Sequence, residues 1–235
     1  MSIIADLPHP PRGHAPAVRP AYNILSRTHA SVKGLFSAVD VLDETRRNSN
    51  ATTKGRMSRV EVDVLRSAVV LTSAGLDSTM KRLVNDAGRT LISKAGSAAR
   101  KQYEEFLKNQ LSQPTVTPTF RDAVIAPDVA DRLLAHYMNE RTRASFQGSR
   151  DLKRRVRNTL GLSGASVTDA DLESLDAFFL ARNKIVHDLD LEEPASDSLK
   201  RVHRTRSDVA AMCDQAFSVA AAIVSATAAL IKATK

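Results

Sequence analysis

Apolar residues recur at helical spacing along most of the chain. Between positions 58 and 91, for example, Val64, Leu65, Val69, Leu76 and Leu83 fall on one side of a helix. The same periodicity predicts helices over 23–46, 58–91, 95–111, 127–144, 149–160, 168–187 and 197–232. No segment of useful length alternates apolar and polar residues as a half-buried strand does. The pattern predicts an all-α protein, an antiparallel bundle of five to seven helices.

Local signals refine several helix boundaries. Thr168 is a predicted N-cap, with Asp171 placed for a capping box, and Pro194 is expected to lie beyond the end of that helix. Gly88 is expected to kink or divide the 58–91 helix. The polar, proline-containing stretch 113–118 is expected to break the pattern after 95–111.

The first twenty residues have a different character. They hold five of the nine prolines and no periodic apolar pattern, which predicts an extended arm over 1–20 ahead of a helical domain over 21–235. Such an arm is either disordered or a strap that packs on a partner or on a second copy of the chain.

Composition agrees with a helical bundle and suggests where the protein works. Apolar residues make up 43% of the chain but aromatic residues only 4%, a mixture that suits helix packed on helix. The single cysteine, Cys213, excludes an intrachain disulfide and a CxxC zinc site. The first residues lack the features of a signal peptide, and the most apolar run, 216–231, is short for a membrane span. We therefore expect a cytoplasmic protein with no membrane contact.

The chain is strongly basic. Its formal net charge is +8, and 23 arginines outnumber 11 lysines. Arginine is suited to bidentate phosphate contacts, so an anionic partner is expected, with nucleic acid ahead of acidic lipid. Two clusters are predicted to bind RNA: Arg150, Lys153, Arg154 and Arg157 on one helix, and Lys200, Arg201 and Arg204 farther along. The alternative is that both clusters are solvated surface.

The segment 181–187, Ala-Arg-Asn-Lys-Ile-Val-His, is the main functional signal. On a helical wheel, Arg182 falls near the centre of an apolar face, where an unpaired charge costs several kcal/mol, so it needs a carboxylate, backbone carbonyls, a bound anion or water. Asn183 and His187 are four residues apart and share a flank. His187 lies about 140° round from Arg182, so one straight helix does not bring the two together. A bend or a second copy has to do so.

Arg182-Asn183-Lys184-Ile185-Val186-His187 resembles the R-N-x-x-x-H motif of HEPN (higher eukaryote and prokaryote nucleotide-binding) domains, and the resemblance covers about 59–235. It implies a compact all-α bundle and a metal-independent endoribonuclease without a cofactor. It also implies a homodimer that brings two motifs into one cleft, a toxin or antiphage-defence role, and an antitoxin or other protein partner. Some members carry a modified tyrosine two residues after the histidine, where this chain has Leu189.

The residue types suit RNA cleavage through the 2′-hydroxyl. His187 can act as general acid or base near neutral pH. Arg182 would stabilise the developing phosphorane charge, and Asn183 would orient a phosphate or the imidazole. Asp188 is expected to tune His187.

Three alternatives remain open from the sequence. The first is a non-catalytic HEPN-like or other helical module that binds nucleic acid through the two basic clusters. The second is a metal phosphohydrolase built on the adjacent His187 and Asp188, although further ligands at a recognisable spacing are missing. The third is a helical structural or assembly protein whose alanine-rich last helix mediates oligomerisation.

Overall fold

The fold is described from a computed structural model that covers residues 4–11, 15–49, 57–146 and 148–233. The helices are α1 (Ala15–Ser49), α2 (Arg59–Ile92), α3 (Ala98–Leu111), α4 (Pro118–Ile125), α5 (Val129–Thr142), α6 (Ser149–Leu160), α7 (Asp169–Glu173), α8 (Asp176–Asp188) and α9 (Arg206–Ala233). Within these ranges β structure is limited to one isolated bridge between Leu191 and Arg201. The predicted all-α class is confirmed.

The long helices α1 and α2 pack antiparallel along most of their length. Arg46, near the end of α1, donates from Nε to Glu61, near the start of α2, at 2.9 Å. Earlier in α1, Thr28 faces Gly75, later in α2, so closely that a Cβ on Gly75 would lie 2.2 Å from the Thr28 side chain. Glycine is needed at this crossing because the two helices leave no room for another side chain.

The third long helix, α9, completes the core. His29 of α1 packs edge-on against Phe217 at 5.0 Å between ring centroids, and Asp40, later in α1, pairs with Arg206, earlier in α9. α1 is therefore antiparallel to both α2 and α9. It follows that α2 and α9 run parallel to each other.

Helix α9 is the most apolar element of the described chain. By length and composition it could cross a membrane, but 56% of its most apolar window is buried inside the fold. Cys213, Ala216, Ala220 and Ile223 are among its buried residues, and the small alanine side chains allow neighbouring helices to approach closely. Here α9 is an interior helix of the core.

The N-terminal segment corrects the predicted arm. α1 begins at Ala15 and contains Pro20, so the helix starts well before the predicted position 23, and the extended part is shorter than 1–20. Residues 4–11 form a strap against this chain's own core. Ile4 is buried, and the backbone N–H of Ala5 donates to Asp214 Oδ1 at 3.0 Å. The remainder of the predicted arm, 1–3 and 12–14, lies outside the described residues.

Several other boundaries differ from the predictions. α2 is continuous through Gly88, and the 168–187 segment divides into α7 and α8. Thr168 and Asp171 do form the predicted capping box, but it caps only the short helix α7. α4 was not predicted, because Pro118 looked like a helix breaker whereas it lies at the first helical position, where proline is favoured. The division into α7 and α8 and the additional helix α4 raise the number of helical segments above the predicted seven.

Candidate functional site

Helix α8 carries the motif Arg182–His187 at its C-terminal end. Its N-terminal half packs into the core through Phe178 and Phe179, which are buried. The same apolar face then emerges from the protein. Ile185 is half-buried and Leu189 is 64% exposed. The apolar face of α8 is therefore longer than the surface that covers it within one chain.

Arg182 lies where this face changes from buried to exposed, and it is half-buried. Its Nη1 donates to Asn183 Oδ1 at 3.0 Å, while its Nε is buried and has no hydrogen-bond partner among the described residues. Within those residues no carboxylate pairs with it, so the alternative of a buried acidic partner is not observed there. The guanidinium keeps N–H groups and its charge for a ligand or for a second chain.

Asn183 and His187 are exposed one helical turn apart on the outer flank of α8. In the part of the chain that the structure describes, neither ring nitrogen of His187 has a hydrogen-bond partner. Asp188, the next residue, is half-buried and makes no hydrogen bond to His187. The expected tuning of His187 by Asp188 is therefore not carried by a hydrogen bond in this structure.

The helix ends sharply just after the histidine. Leu189 and Asp190 both have left-handed backbone conformations, with φ of 51° and 60°, and the Asp190 N–H donates to the Lys184 carbonyl at 2.8 Å. This is a chain reversal of the kind that commonly closes a helix. The helix therefore ends close to the predicted position, near His187 and before Pro194, and the chain then turns back along residues 191–204, here called the return segment.

The turn is anchored by a buried charge network that the sequence analysis missed. Asp190 is fully buried, and its carboxylate accepts from Arg66 Nε at 2.8 Å and from Arg204 Nε and Nη2 at 2.7 and 2.6 Å. Arg66 also donates to Asp63 and to the Val202 carbonyl. Asp190 lies in an acidic stretch whose charge predicts an exposed position, and Arg66 is 124 positions away. The pairing is therefore evident only from the tertiary structure.

The α6 basic residues are largely engaged within the chain. Lys153 pairs with Asp169 and Glu173, and the hydrogen bonds and charges of these carboxylates raise the pKa of its amine. Arg157 turns towards the loop after α6, where it donates to three backbone carbonyls and to Asp169. Arg157 was predicted to bind RNA, but its guanidinium organises this loop within the chain.

Two members of this group remain on the surface. Arg154 pairs with Asp151 on its own helix, and Arg150 is exposed at the start of α6. A hydrogen bond between Ser149 and Asp176 places this end of α6 beside the first turn of α8. From there to His187 is about 16 Å along the α8 axis. The α6 cluster and the motif therefore lie towards opposite ends of α8.

The second basic cluster lies on the return segment, beside α2. Lys200 pairs with Glu192 in an exposed contact, and Arg201 pairs with Asp63 at 2.6 Å. Arg204 is buried on Asp190, so its guanidinium is a structural group and not a surface contact for RNA. The helix that was predicted to begin near position 197 begins only at Arg206, so the return segment that carries this cluster is not helical.

An apolar groove adjoins the motif between α2 and α8. It encloses about 460 Å³ and is lined in part by Val70, Leu71, Ile185 and Leu189, with Arg201 at one side. Leu71 and Leu189 are exposed there. We call this the α2–α8 groove. It continues the uncovered half of the α8 apolar face.

Metal ligation and similarity to known proteins complete the description. The described residues contain no group of three or more His, Cys, Asp or Glu side chains placed to hold a metal ion. No family model, no curated protein and no solved structure matches the chain. The function is therefore argued from the arrangement on α8.

Proposed function

We propose that the protein is a metal-independent endoribonuclease of the HEPN type, with Arg182, Asn183 and His187 as its catalytic residues. The observation that carries the proposal is the state of Arg182. It is half-buried, hydrogen-bonded to Asn183 and without a carboxylate partner among the described residues. An arginine placed in this way is suited to receive a phosphate, because charge-assisted contacts to an anion compensate the cost of its burial.

The reaction needs one group to take a proton and another to give one. A base removes the proton of the 2′-hydroxyl, whose oxygen attacks the neighbouring phosphorus. The bond to the 5′-oxygen breaks, and an acid protonates that oxygen as it leaves. The products are a 2′,3′-cyclic phosphate and a 5′-hydroxyl. Arg182 stabilises the additional negative charge on the phosphorane. His187 supplies the imidazole for proton transfer, and its exposed position gives RNA direct access.

A second copy of the chain is part of this proposal. One His187 cannot be base and acid in the same step, whereas two copies supply two histidines. The uncovered apolar half of the α8 face, together with the α2–α8 groove, offers a surface beside the motif for a two-fold contact. We therefore propose a homodimer whose two motifs line one cleft. The cytoplasmic location, the role in toxin or antiphage biology and an antitoxin-like partner rest on the motif's resemblance.

The alternative of a binding module built on the two basic clusters has less support. Six of the seven predicted RNA-binding residues pair with carboxylates of the same chain. Exposed pairs such as Lys200 with Glu192 are weak and exchange readily for phosphate. Arg204 with Asp190 is buried and does not.

The test is RNA cleavage in the presence of EDTA. Wild-type protein should cleave total RNA and leave 2′,3′-cyclic phosphate ends, whereas Arg182→Ala and His187→Ala should each lose activity by at least about a hundredfold. His9→Ala, which removes an exposed histidine of the N-terminal strap, is the control and should retain activity. Cleavage that needs added metal, or that survives His187→Ala, would refute the proposal.

Mixing wild-type protein with His187→Ala tests the shared cleft. Because the proposed step needs His187 from both copies, a mixed dimer is inactive, and activity after subunit exchange should fall with the square of the wild-type fraction. Activity that falls only in proportion to the wild-type fraction, from protein that sediments as a monomer, would contradict the dimeric site while leaving cleavage itself intact.

A further inference from the structure

A basic pocket of about 750 Å³ opens between the start of α2 and the return segment, and we call it the return pocket. Its volume is within the range of about 300–1,000 Å³ that small-molecule sites occupy. Cationic side chains line one part of it, among them Arg59, Lys200 and Arg201, and apolar side chains line another, among them Met57 and Leu199. The pocket therefore offers two kinds of surface to one ligand.

The charge of the return pocket is positive even after its internal ion pairs are counted. Five cationic side chains line it and three carboxylates contact them, which leaves a net charge of about +2. The cations are Arg59, Arg66, Lys200, Arg201 and Arg204, and the carboxylates are Asp63, Asp190 and Glu192. Arg59 is exposed and has no ion pair among the described residues. Arg59 and Lys200 are thus the cations most accessible to a ligand.

The first turn of α2 strengthens the same field. The N–H groups of Ser58 and Glu61 are satisfied by the capping box, and the Glu61 carboxylate is buried on Arg46 and Ser58. The N–H groups of Arg59 and Val60 have no partner in the described ranges, as is usual for the first positions of a helix. The helix end therefore adds partial positive charge to the cationic side chains already present.

The apolar part of the pocket distinguishes a larger ligand from a simple anion. Leu199 is 85% exposed and lines the pocket beside Lys200 and Arg201, so its side chain is accessible to a ligand held by these cations. Met57 and Val62 are half-buried and line the same cavity. Inorganic phosphate would contact the cations and leave this apolar surface open. A nucleobase or ribose joined to the phosphate would cover it.

We propose that the return pocket binds a nucleotide, with its phosphate at Arg59 and Lys200 and its base against Leu199 and Met57. The ligand that fits both parts of the pocket is a phosphate joined through a ribose to a planar base. The nucleotide is either free in solution or one residue of an RNA strand. The proposal goes beyond cleavage at Arg182 and His187 and does not depend on it, since binding is measured without any reaction.

Calorimetric titration of the full chain with four probes tests the proposal. The probes are adenosine 5′-monophosphate, adenosine, inorganic phosphate and a short 2′-O-methyl RNA, which lacks the attacking hydroxyl and is not cleaved. Adenosine and phosphate alone should bind at least about tenfold more weakly than the nucleotide or the oligonucleotide, because each satisfies only half of the pocket. Binding of the free nucleotide identifies a small-molecule site, and binding of the oligonucleotide alone identifies an RNA subsite.

Variants show whether the binding belongs to this pocket. Arg59→Ala combined with Lys200→Ala should weaken binding at least about tenfold, because two charge-assisted contacts are lost. Leu199→Ser should weaken the binding of the nucleotide but leave the binding of inorganic phosphate unchanged. Arg27→Ala removes an exposed arginine of α1 and is the matched control. Absence of binding to any probe, equal binding of inorganic phosphate, or an equal loss in Arg27→Ala would overturn the proposal.

Discussion

Replacing Asp190 with alanine tests whether the buried charge network holds the end of α8 in place. Removing one partner of a buried ion pair costs about 3–5 kcal/mol. Arg66 would keep Asp63 and the Val202 carbonyl, whereas Arg204 would have no carboxylate among the described residues. We therefore expect the lower end, about 3 kcal/mol. For a domain of this size the melting temperature should fall by about 6–12 °C.

Thermal and urea unfolding followed by circular dichroism measure this effect, and three further variants separate its causes. Glu192→Ala breaks an exposed ion pair with Lys200 on the same segment and should cost less than about 1 kcal/mol. Asp190→Asn keeps a residue that tolerates the left-handed backbone and removes only the charge. The triple variant Asp190→Gly with Arg66→Met and Arg204→Met should recover much of the loss, because glycine suits the left-handed backbone and no charge remains buried.

The comparison has a clear refuting result. If Asp190→Ala destabilises the protein no more than Glu192→Ala does, the carboxylate does not anchor the turn, and the argument that a buried network positions the motif is wrong. If Asp190→Asn is as stable as wild type, the hydrogen-bonding shape matters and the charge does not.

Two further predictions concern the core. Gly75→Ala should destabilise the protein by about 1–3 kcal/mol in urea unfolding, because the new Cβ meets Thr28 of α1. Gly34→Ala, which has open space around it, should stabilise α1 by up to about 1 kcal/mol. Equal effects of the two substitutions would contradict the close crossing of α1 and α2. Burial raises the pKa of the Cys213 thiol to about 11, so a thiol-specific disulfide reagent should react slowly at pH 8, faster as the pH rises towards 11, and fully once the protein is unfolded. Fast labelling of the native protein at pH 8 would show that the thiol is accessible.

The sequence predicted the helical class and several boundaries because the apolar period is a local property. The α6 prediction of 149–160 coincides with Ser149–Leu160, and α2 differs from its prediction by one residue at each end. Prolines were misread where their position inside a helix decides their effect. Pro118 begins a helix, and Pro20 lies inside one. Periodicity alone does not distinguish these cases.

The candidate site was predictable in part. The sequence placed Arg182 on the apolar face of α8, and it lies there, at the boundary of the buried region. The sequence also placed the end of this helix near His187, within one residue of the observed end at Asp188. It could not show that Asp190 is buried, because the arginine partners of Asp190 are remote in sequence or appeared to be surface charges. Arg157 was misplaced for a similar reason, since its loop contacts depend on the fold and not on helical spacing.

The contact between the N-terminal strap and α9 links the fold to the order of synthesis. Ala5 and Asp214 are 209 positions apart, so the strap, although made early, cannot dock until α9 has emerged. Because α9 packs against both α2 and α8, the core that these two helices share is also incomplete until α9 has been made. The motif on α8 is therefore translated before the scaffold that holds it is complete. An active site on α8 would form late, once α9 has packed between the helices made before it.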